Sequence, residues 1–274
     1  MAKGPPFRGG AFEARPYVEE GLKGQRGRFP LPHPIGDPYP VEMSSPSPIG
    51  VAVYPVTPLQ QNCTLVWCRK TGRGALIDPG GSIDDLLKAV AKQGVTLDAI
   101  WVTHGHLDHA GGAAELQEKT GLDIVGPHLA DQFWIDGIPA QGQMYGLPEA
   151  RSFTPTRWLD DGDELTLGET KWEVRHCPGH TPGHVIFFDR EARFAQVGDV
   201  LFKGSIGRTD FPQSDHGALL RSVTEKLWPL GDDVTFIPGH GPHSTLGEER
   251  RTNPFVSDAA LSRAPIVRPA AGPS

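Results

Sequence analysis

From residue 51 onward, apolar positions fall into short runs separated by turn residues, and before it they follow no regular period. Val51–Val56, Thr64–Cys68 and Ala75–Asp78 read as strands, the last closed by Pro79-Gly80-Gly81. Ser82 has the position of an N-cap for a helix through Gln93, with Asp84 and Asp85 in its first turn and Gly94 as its stop. Ala99–Thr103 is a further strand, Ala110–Thr120 a helix ended by Gly121, and Asp123–Gly126 another strand. Ile135–Pro155, which holds Gly137, Gly142, Tyr145 and Gly146, reads as a loop that either covers a site or simply lies on the surface. Glu164–Leu167, Lys171–His176, Val185–Asp189 and Phe194–Val197 have the spacing of a meander. Gly217–Leu227 then reads as helix and Val234–Ile237 as the last strand.

This alternation predicts an α/β fold. Residues 1–48 are rich in Pro, Gly and charge and read as an extended or disordered arm, in which Phe7, Phe12, Tyr17 and Phe29 are potential anchors. Residues 49–261 form the expected catalytic domain, and 262–274 a loose tail. Neither an apolar run of about 18 residues nor a secretory h-region is present, so the expectation is a cytoplasmic protein without a membrane partner. The net charge of −7 in 274 residues gives no support to a nucleic-acid partner. Cys63, Cys68 and Cys177 are too few for a disulfide framework and read as small buried hydrophobes.

The chemistry concentrates after the Ala99–Thr103 strand. His104, His106, Asp108 and His109 lie within six residues, and imidazole and carboxylate are the ligands of zinc and similar ions. Alternate residues of an extended loop share a direction, so His104 and His106 can share one ion. Asp108 and His109, where the chain bends into a helix, can reach a second. Three more segments end predicted strands or turns with Gly or Pro beside a ligand type: His180 and His184 in Pro-Gly-His-Thr-Pro-Gly-His, Asp199 after Gly198, and His240 in Pro-Gly-His-Gly-Pro. Imidazole and carboxylate suit zinc first, with iron and manganese also compatible. No Gly-x-Ser-x-Gly elbow occurs, which removes the usual serine-hydrolase alternative.

Over about residues 51–255 this constellation resembles the metallo-β-lactamase superfamily. The resemblance implies a four-layer αβ/βα sandwich holding two divalent metal ions. It implies that His104, His106 and His180 hold one ion, that Asp108, His109 and His240 hold the other, and that Asp199 bridges them. Asp108 and Asp199 are then the candidate catalytic carboxylates, Asp108 either as a ligand that also orients the attacking water or shuttles its proton, or as a ligand alone. Asp78 matches an acidic turn behind the site, and His184 a position that packs against the ligands without binding metal.

Asp199-Val-Leu-Phe-Lys-Gly-Ser-Ile-Gly-Arg-Thr-Asp-Phe-Pro, and the later Ser244-Thr-Leu-Gly-Glu-Glu-Arg-Arg-Thr-Asn-Pro-Phe, resemble the short glyoxalase II-like branch, the hydroxyacylglutathione hydrolases. The implied substrate is a small thioester, S-D-lactoylglutathione or a related glutathione conjugate. Arg208, Lys203 and Tyr145 are the candidate substrate contacts, Arg208 with the alternative that it only pairs with Asp210. Two tyrosines that hold glutathione in longer relatives correspond to Asp210 and Pro242, and their C-terminal helical domain has no counterpart in the 34 residues after His240. Arg250 and Arg251 read as surface charges. Three other readings stand beside this one: a persulfide dioxygenase with one iron on His104, His180 and Asp199, a lactonase or other ester hydrolase, and a non-catalytic metal-binding module.

Overall fold

The computed structural model describes residues 35, 38, 39, 41 and 47–263. The arm's four aromatic anchors and nearly all of the tail lie outside them. Two sheets carry the fold. The first runs β1 (Ile49–Val56), β2 (Gln61–Cys68), β3 (Arg73–Ile77), β4 (Thr96–Trp101) and β5 (Asp123–Val125), in that spatial order. β1 to β3 are antiparallel, whereas β3, β4 and β5 are parallel. The second sheet contains β6 (Glu164–Leu167), β7 (Thr170–His176), β8 (Val185–Asp189), β9 (Phe194–Gly198), β12 (Thr235–Pro238) and β13 (Ser244–Thr245). Its strands are antiparallel except for the β9–β12 pair. A small ribbon of β10 (Leu201–Phe202) and β11 (Ser205–Ile206) follows β9.

Alternation along the strands places three apolar layers in sequence. On β1, Ala52, Tyr54 and Val56 face the helices α1 (Ile83–Gln93), α3 (Ala113–Thr120) and α4 (Gln132–Tyr145). Ile49 and Val53 of the same strand face the other sheet, in a layer with Val66, Ile77, Trp172, Phe187 and Phe194. Trp101 sits in that middle layer, edge-on to Trp172 at 5.4 Å. On the far face of the second sheet, Ile186, Phe188 and Val197 pack against α5 (His216–Arg221), its continuation through Leu227, and α6 (Leu246–Thr252). The order helix, sheet, sheet, helix is the four-layer αβ/βα sandwich expected from the sequence. Tyr39, assigned to the arm, lies on this body: it bridges to Val53, and its hydroxyl donates to the Gly241 carbonyl at 3.4 Å.

Four elements differ from their expected form. Ser82 is not a side-chain cap, since at φ 57° its hydroxyl misses the helix amides and only its carbonyl accepts from Asp85 and Leu86. The helix expected from Ala110 begins earlier, as α2 (Leu107–Ala110), and is broken at Gly111-Gly112 before α3. That break lets the chain press on the Pro79 turn, where Gly112 N–H donates to the Pro79 carbonyl at 3.0 Å. The segment Ser222–Leu227 is a π-helical continuation of α5 and not α-helix. The predicted loop Ile135–Pro155 is helical through Tyr145, because Trp134, Ile135, Ile138 and Gly142 form a buried face that outweighs the cost of Gly137 and Pro139.

Candidate metal centre

The loops that follow β3, β4, β7, β9 and β12 converge at one edge of the sandwich. His104 Nε2 lies 3.1 Å from His106 Nδ1, and His180 Nε2 lies 3.0 Å from the same atom. The outer nitrogens of two of these rings are committed elsewhere. His180 Nδ1 donates to the Arg208 carbonyl at 2.9 Å. His104 Nδ1 donates at 3.0 Å to Thr103 Oγ1, whose own hydroxyl donates to Asp78 Oδ2 at 2.6 Å. Both Nε2 atoms therefore present lone pairs to one point, and such pairs repel unless a cation stands between them. Tetrahedral zinc with bonds near 2.0–2.1 Å would set its nitrogens about 3.3 Å apart, close to the observed spacing.

A second group lies beside the first, with Asp108, His109 and His240 offering ligand atoms within 4.8 Å of one another. His240 Nε2 is 3.1 Å from Asp108 Oδ2. His109 donates from Nδ1 to Asp78 Oδ2 at 2.9 Å and His240 from Nδ1 to the Leu59 carbonyl at 3.2 Å, so both rings turn Nε2 inward. Asp199 stands between the groups: Oδ1 is 3.4 Å from His109 Nε2, while Oδ2 is 3.4 Å from His180 Nε2 and 3.8 Å from His240 Nε2. His109 Nε2 and Asp199 Oδ1 are buried without a hydrogen-bond partner, the condition expected of atoms that face an ion. Asp78, His104 and His109 form a third close group. The Asp78 oxygens are already occupied, however, by Thr103 N, Thr103 Oγ1 and His109 Nδ1. Asp78 thus holds Thr103 and the His109 ring from behind.

The charge states are consistent with two kinds of subsite. Burial and the neighbouring imidazoles hold His104 and His106 well below the usual histidine range, and burial likewise lowers His180, so all three imidazoles are neutral and able to offer a lone pair. Burial opposes charge on His109 too, but the Asp199 and Asp108 carboxylates hold it well above that range. His240 is raised against its burial by the hydrogen bond to Asp108 and by Asp199. The Asp108 carboxyl, penalised by burial but facing His109 and His240, is brought down to about 2. Protons on His109 and His240 balance the carboxylates, and a divalent ion would take their place. The donor set fits two such ions.

All seven proposed ligands are therefore brought together, with Asp78 and His184 behind them. His184 is fully buried, stacks on His104 at 4.6 Å, and accepts from the Asp199 amide at 3.0 Å. The substrate candidates are scattered. Arg208 is held by both oxygens of Asp210, at 2.9 and 2.6 Å, and lies over the Phe211 ring at 4.6 Å. Lys203 is exposed on the β10–β11 turn. Tyr145 packs on the helical side of the core, because the helix carries it 11 residues, about 16 Å, beyond Trp134. Arg250 and Arg251 pair with Asp258 and Glu248 at the surface. Cys63, Cys68 and Cys177 are buried and free.

Three residues were not anticipated. Trp134 lies edge-on to His106 at 4.4 Å, Phe211 contacts both His106 at 5.0 Å and His180 at 5.6 Å, and Asp131 is a buried carboxylate between two ligand loops. Trp134 stands one residue before the segment read as a loop, where no helical face was expected. For Asp131 no local signal exists. Among the described residues, no helix is long and apolar enough to cross a membrane.

Comparison with known proteins agrees with this geometry. The family model described as "Metallo-beta-lactamase superfamily" matches residues 56–240. Hydroxyacylglutathione hydrolase GloC of Haemophilus influenzae is 43% identical over 210 residues, 76% of this chain and 99% of that protein. Among solved structures, BLEG-1 B3 metallo-beta-lactamase superposes with a TM-score of 0.70 at 30% identity, covering 76% of this chain and 99% of its own. TTHA1623 in a di-iron-bound form gives 0.67 at 39% identity, covering 73% and 98%.

Proposed function

The chain belongs to the metallo-β-lactamase superfamily and is a metal-dependent hydrolase, and from that premise we propose that it hydrolyses a small thioester, S-D-lactoylglutathione first among the candidates. The observation that carries this reading is the convergence of His104, His106 and His180 beside Asp108, His109 and His240, with Asp199 between them. The family binds divalent metals. Zinc is the first choice for this donor set, and the di-iron form of TTHA1623 keeps iron open. The 43% identity with a hydroxyacylglutathione hydrolase, over nearly all of that protein, supports the substrate class.

When bound, the two cations would supply a water acidified toward neutrality and an electrophile for the thioester carbonyl. The chain's own residues do the rest. His104, His106 and His180 would hold one ion and Asp108, His109 and His240 the other, with Asp199 placed between the two sets. Asp78 keeps His109 in the tautomer that turns Nε2 inward. Asp108, ionised at the inner face, orients the attacking water as an acceptor. Phe211 and Trp134 wall the three-imidazole side and exclude water from the acyl group. Arg208, fixed by Asp210 and stacked on Phe211, presents a rigid guanidinium for a substrate carboxylate. A thiolate leaves with little acid assistance, which agrees with the lack of an assigned general acid. Cytoplasmic residence belongs to the same reading.

The test is purification without added metal, elemental analysis, and assay on S-D-lactoylglutathione, with a β-lactam and glutathione persulfide in parallel. Two ions per chain and thioester turnover are expected, with Asp199→Ala losing both. One iron per chain with oxygen uptake on the persulfide overturns the hydrolase mechanism, and turnover of the β-lactam alone overturns the substrate.

A further inference from the structure

Asp131 has a fully buried side chain and no assigned part in the metal cluster. It ends the short turn Leu129–Asp131 and precedes α4, the usual place of a helix cap, yet its side chain makes no cap hydrogen bond. Its oxygens instead accept three hydrogen bonds from elsewhere. Oδ2 accepts from the Gly105 amide at 2.8 Å and from Thr181 Oγ1 at 2.8 Å, and Oδ1 accepts from the Gly183 amide at 2.5 Å.

Every donor lies on a ligand-bearing loop. Gly105 stands between His104 and His106, Thr181 follows His180, and Gly183 precedes His184. Both glycines are pressed against the Asp131 segment. A Cβ on Gly105 would meet Trp134 Cβ at 2.8 Å and the Asp131 carbonyl at 3.0 Å, and one on Gly183 would meet the Asp131 amide at 2.5 Å. The carboxylate thus ties together two loops that belong to different sheets, and between them these loops supply all three imidazoles of one metal set. The Asp108–His109–His240 set is oriented through Asp78 and the Leu59 carbonyl and receives no bond from Asp131.

Placing a carboxylate there is costly. No cation among the described residues pairs with it, and burial pushes its carboxyl up, with the three donors pulling back, to about 6. An apolar residue or an ordinary cap would close the core at lower cost. A planar acceptor with two oxygens is the group that can serve amides on both loops at once.

We propose that Asp131 is a positioning residue of the metal centre, a carboxylate tie that sets the spacing between the His104–His106 loop and the His180 loop, and hence the fit of the three-imidazole set, without touching an ion. The proposal rests on the ligand sets assigned above. Asp131→Asn is the incisive change. An amide keeps the shape but offers one acceptor oxygen, and if that oxygen serves Gly105 and Thr181, an N–H faces the Gly183 amide.

The experiment titrates the full chain, stripped of metal, with zinc against a chromophoric competitor. It does so in two backgrounds, His240→Asn to leave the three-imidazole set and His180→Asn to leave the other. Adding Asp131→Asn should weaken zinc by roughly 10–100-fold in the first background and by less than about twofold in the second. Thr181→Val, which removes one of the three bonds, should give a smaller loss in the same background and serves if the Asp131 variant does not fold. Equal losses in both backgrounds indicate a general structural role and overturn the proposal, as does no loss in either. A wild-type chain that takes up a single ion overturns the two-ion reading instead. Asp131 is then judged on that ion, where unchanged affinity overturns the tie.

Discussion

A methyl group on Gly239 would stand 2.0 Å from Asp199 Oδ1 and 2.5 Å from His109 Cε1. The glycine before His240 therefore serves less for turning the chain than for keeping carbon out of the space between Asp199 and His109, two of the proposed ligands. Gly239→Ala should lower metal affinity and hydrolysis together by roughly 10–100-fold, the usual effect of disturbing groups that hold ligands in place, and elemental analysis of the purified variant checks it. Asp131 supports a prediction about pH. Its carboxyl is raised to about 6 in the fold, against an ordinary 3.8. The folded state therefore holds the proton more tightly, so this residue's contribution is most favourable below about pH 4 and is lost as pH rises through 6. The loss amounts to about 3 kcal/mol at some 1.4 kcal/mol per unit. Urea unfolding of metal-free protein at pH 4.5 and 7 should show the wild type losing more stability than Asp131→Asn over that interval. Parallel losses in the two would contradict the assignment. The residues themselves explain why one set of roles was legible and the other was not. His104, His106, Asp108 and His109 announce themselves because rare ligand types crowd into six positions. Asp131 sits where any acidic residue would cap a helix, and its partners are 26 and some 50 positions away. Such a tie exists only once the chain is folded.

At the scale of elements, α4 is the instructive case. Gly137, Pro139 and Gly142 weaken helix propensity, and the propensity reading of a loop follows from them. Packing reverses it: Trp134, Ile135, Ile138 and Gly142 return to one face at helical spacing, and that face closes the core and brings Trp134 to His106. The two glycines are not equivalent. A Cβ on Gly137 would meet only the mobile end of Gln141, at 3.2 Å, whereas one on Gly142 would press on the Leu147 carbonyl at 2.5 Å. Gly137→Ala should accordingly raise stability by about 0.5–1 kcal/mol, or roughly 1–4 °C in Tm, through helix propensity alone. Gly142→Ala should lower it. Differential scanning fluorimetry distinguishes the outcomes, and a Gly137→Ala chain that melts lower would show that this position needs its glycine. The strands were more legible, since the short apolar runs of β1, β8 and β9 survive into the structure as buried strands. The Gly111-Gly112 break and the π-helical stretch were not. The first answers to a distant segment, since it brings Gly112 onto the Pro79 turn.

Across the whole molecule, the proposed ligands are divided between the two sheets. His104, His106, Asp108 and His109 follow β4 of the first, while His180, Asp199 and His240 follow β7, β9 and β12 of the second. Each proposed ion thus has ligands from both sheets and acts as a clip across the sandwich. The sheets also meet without metal. The Asn62 amide donates to the Gly239 carbonyl at 2.8 Å, and its side chain donates to the Pro238 and Gly241 carbonyls at 2.9 Å each. Trp101, Trp172 and Phe187 fill the interface behind them. The fold should therefore survive chelation but lose the free energy of ion binding. An ion held at 1,000 times its Kd contributes about 4 kcal/mol, which for a body of this size corresponds to a fall of roughly 10 °C in Tm for each ion removed. A calorimetric scan before and after dialysis against a strong chelator should show that fall as a single cooperative transition, reversed by zinc and not by magnesium, whose octahedral oxygen preference this nitrogen-rich set does not meet. A transition that splits in two would mean that the two sheets depend on the ions to melt as one body, and an unchanged Tm would mean that the clip carries no load.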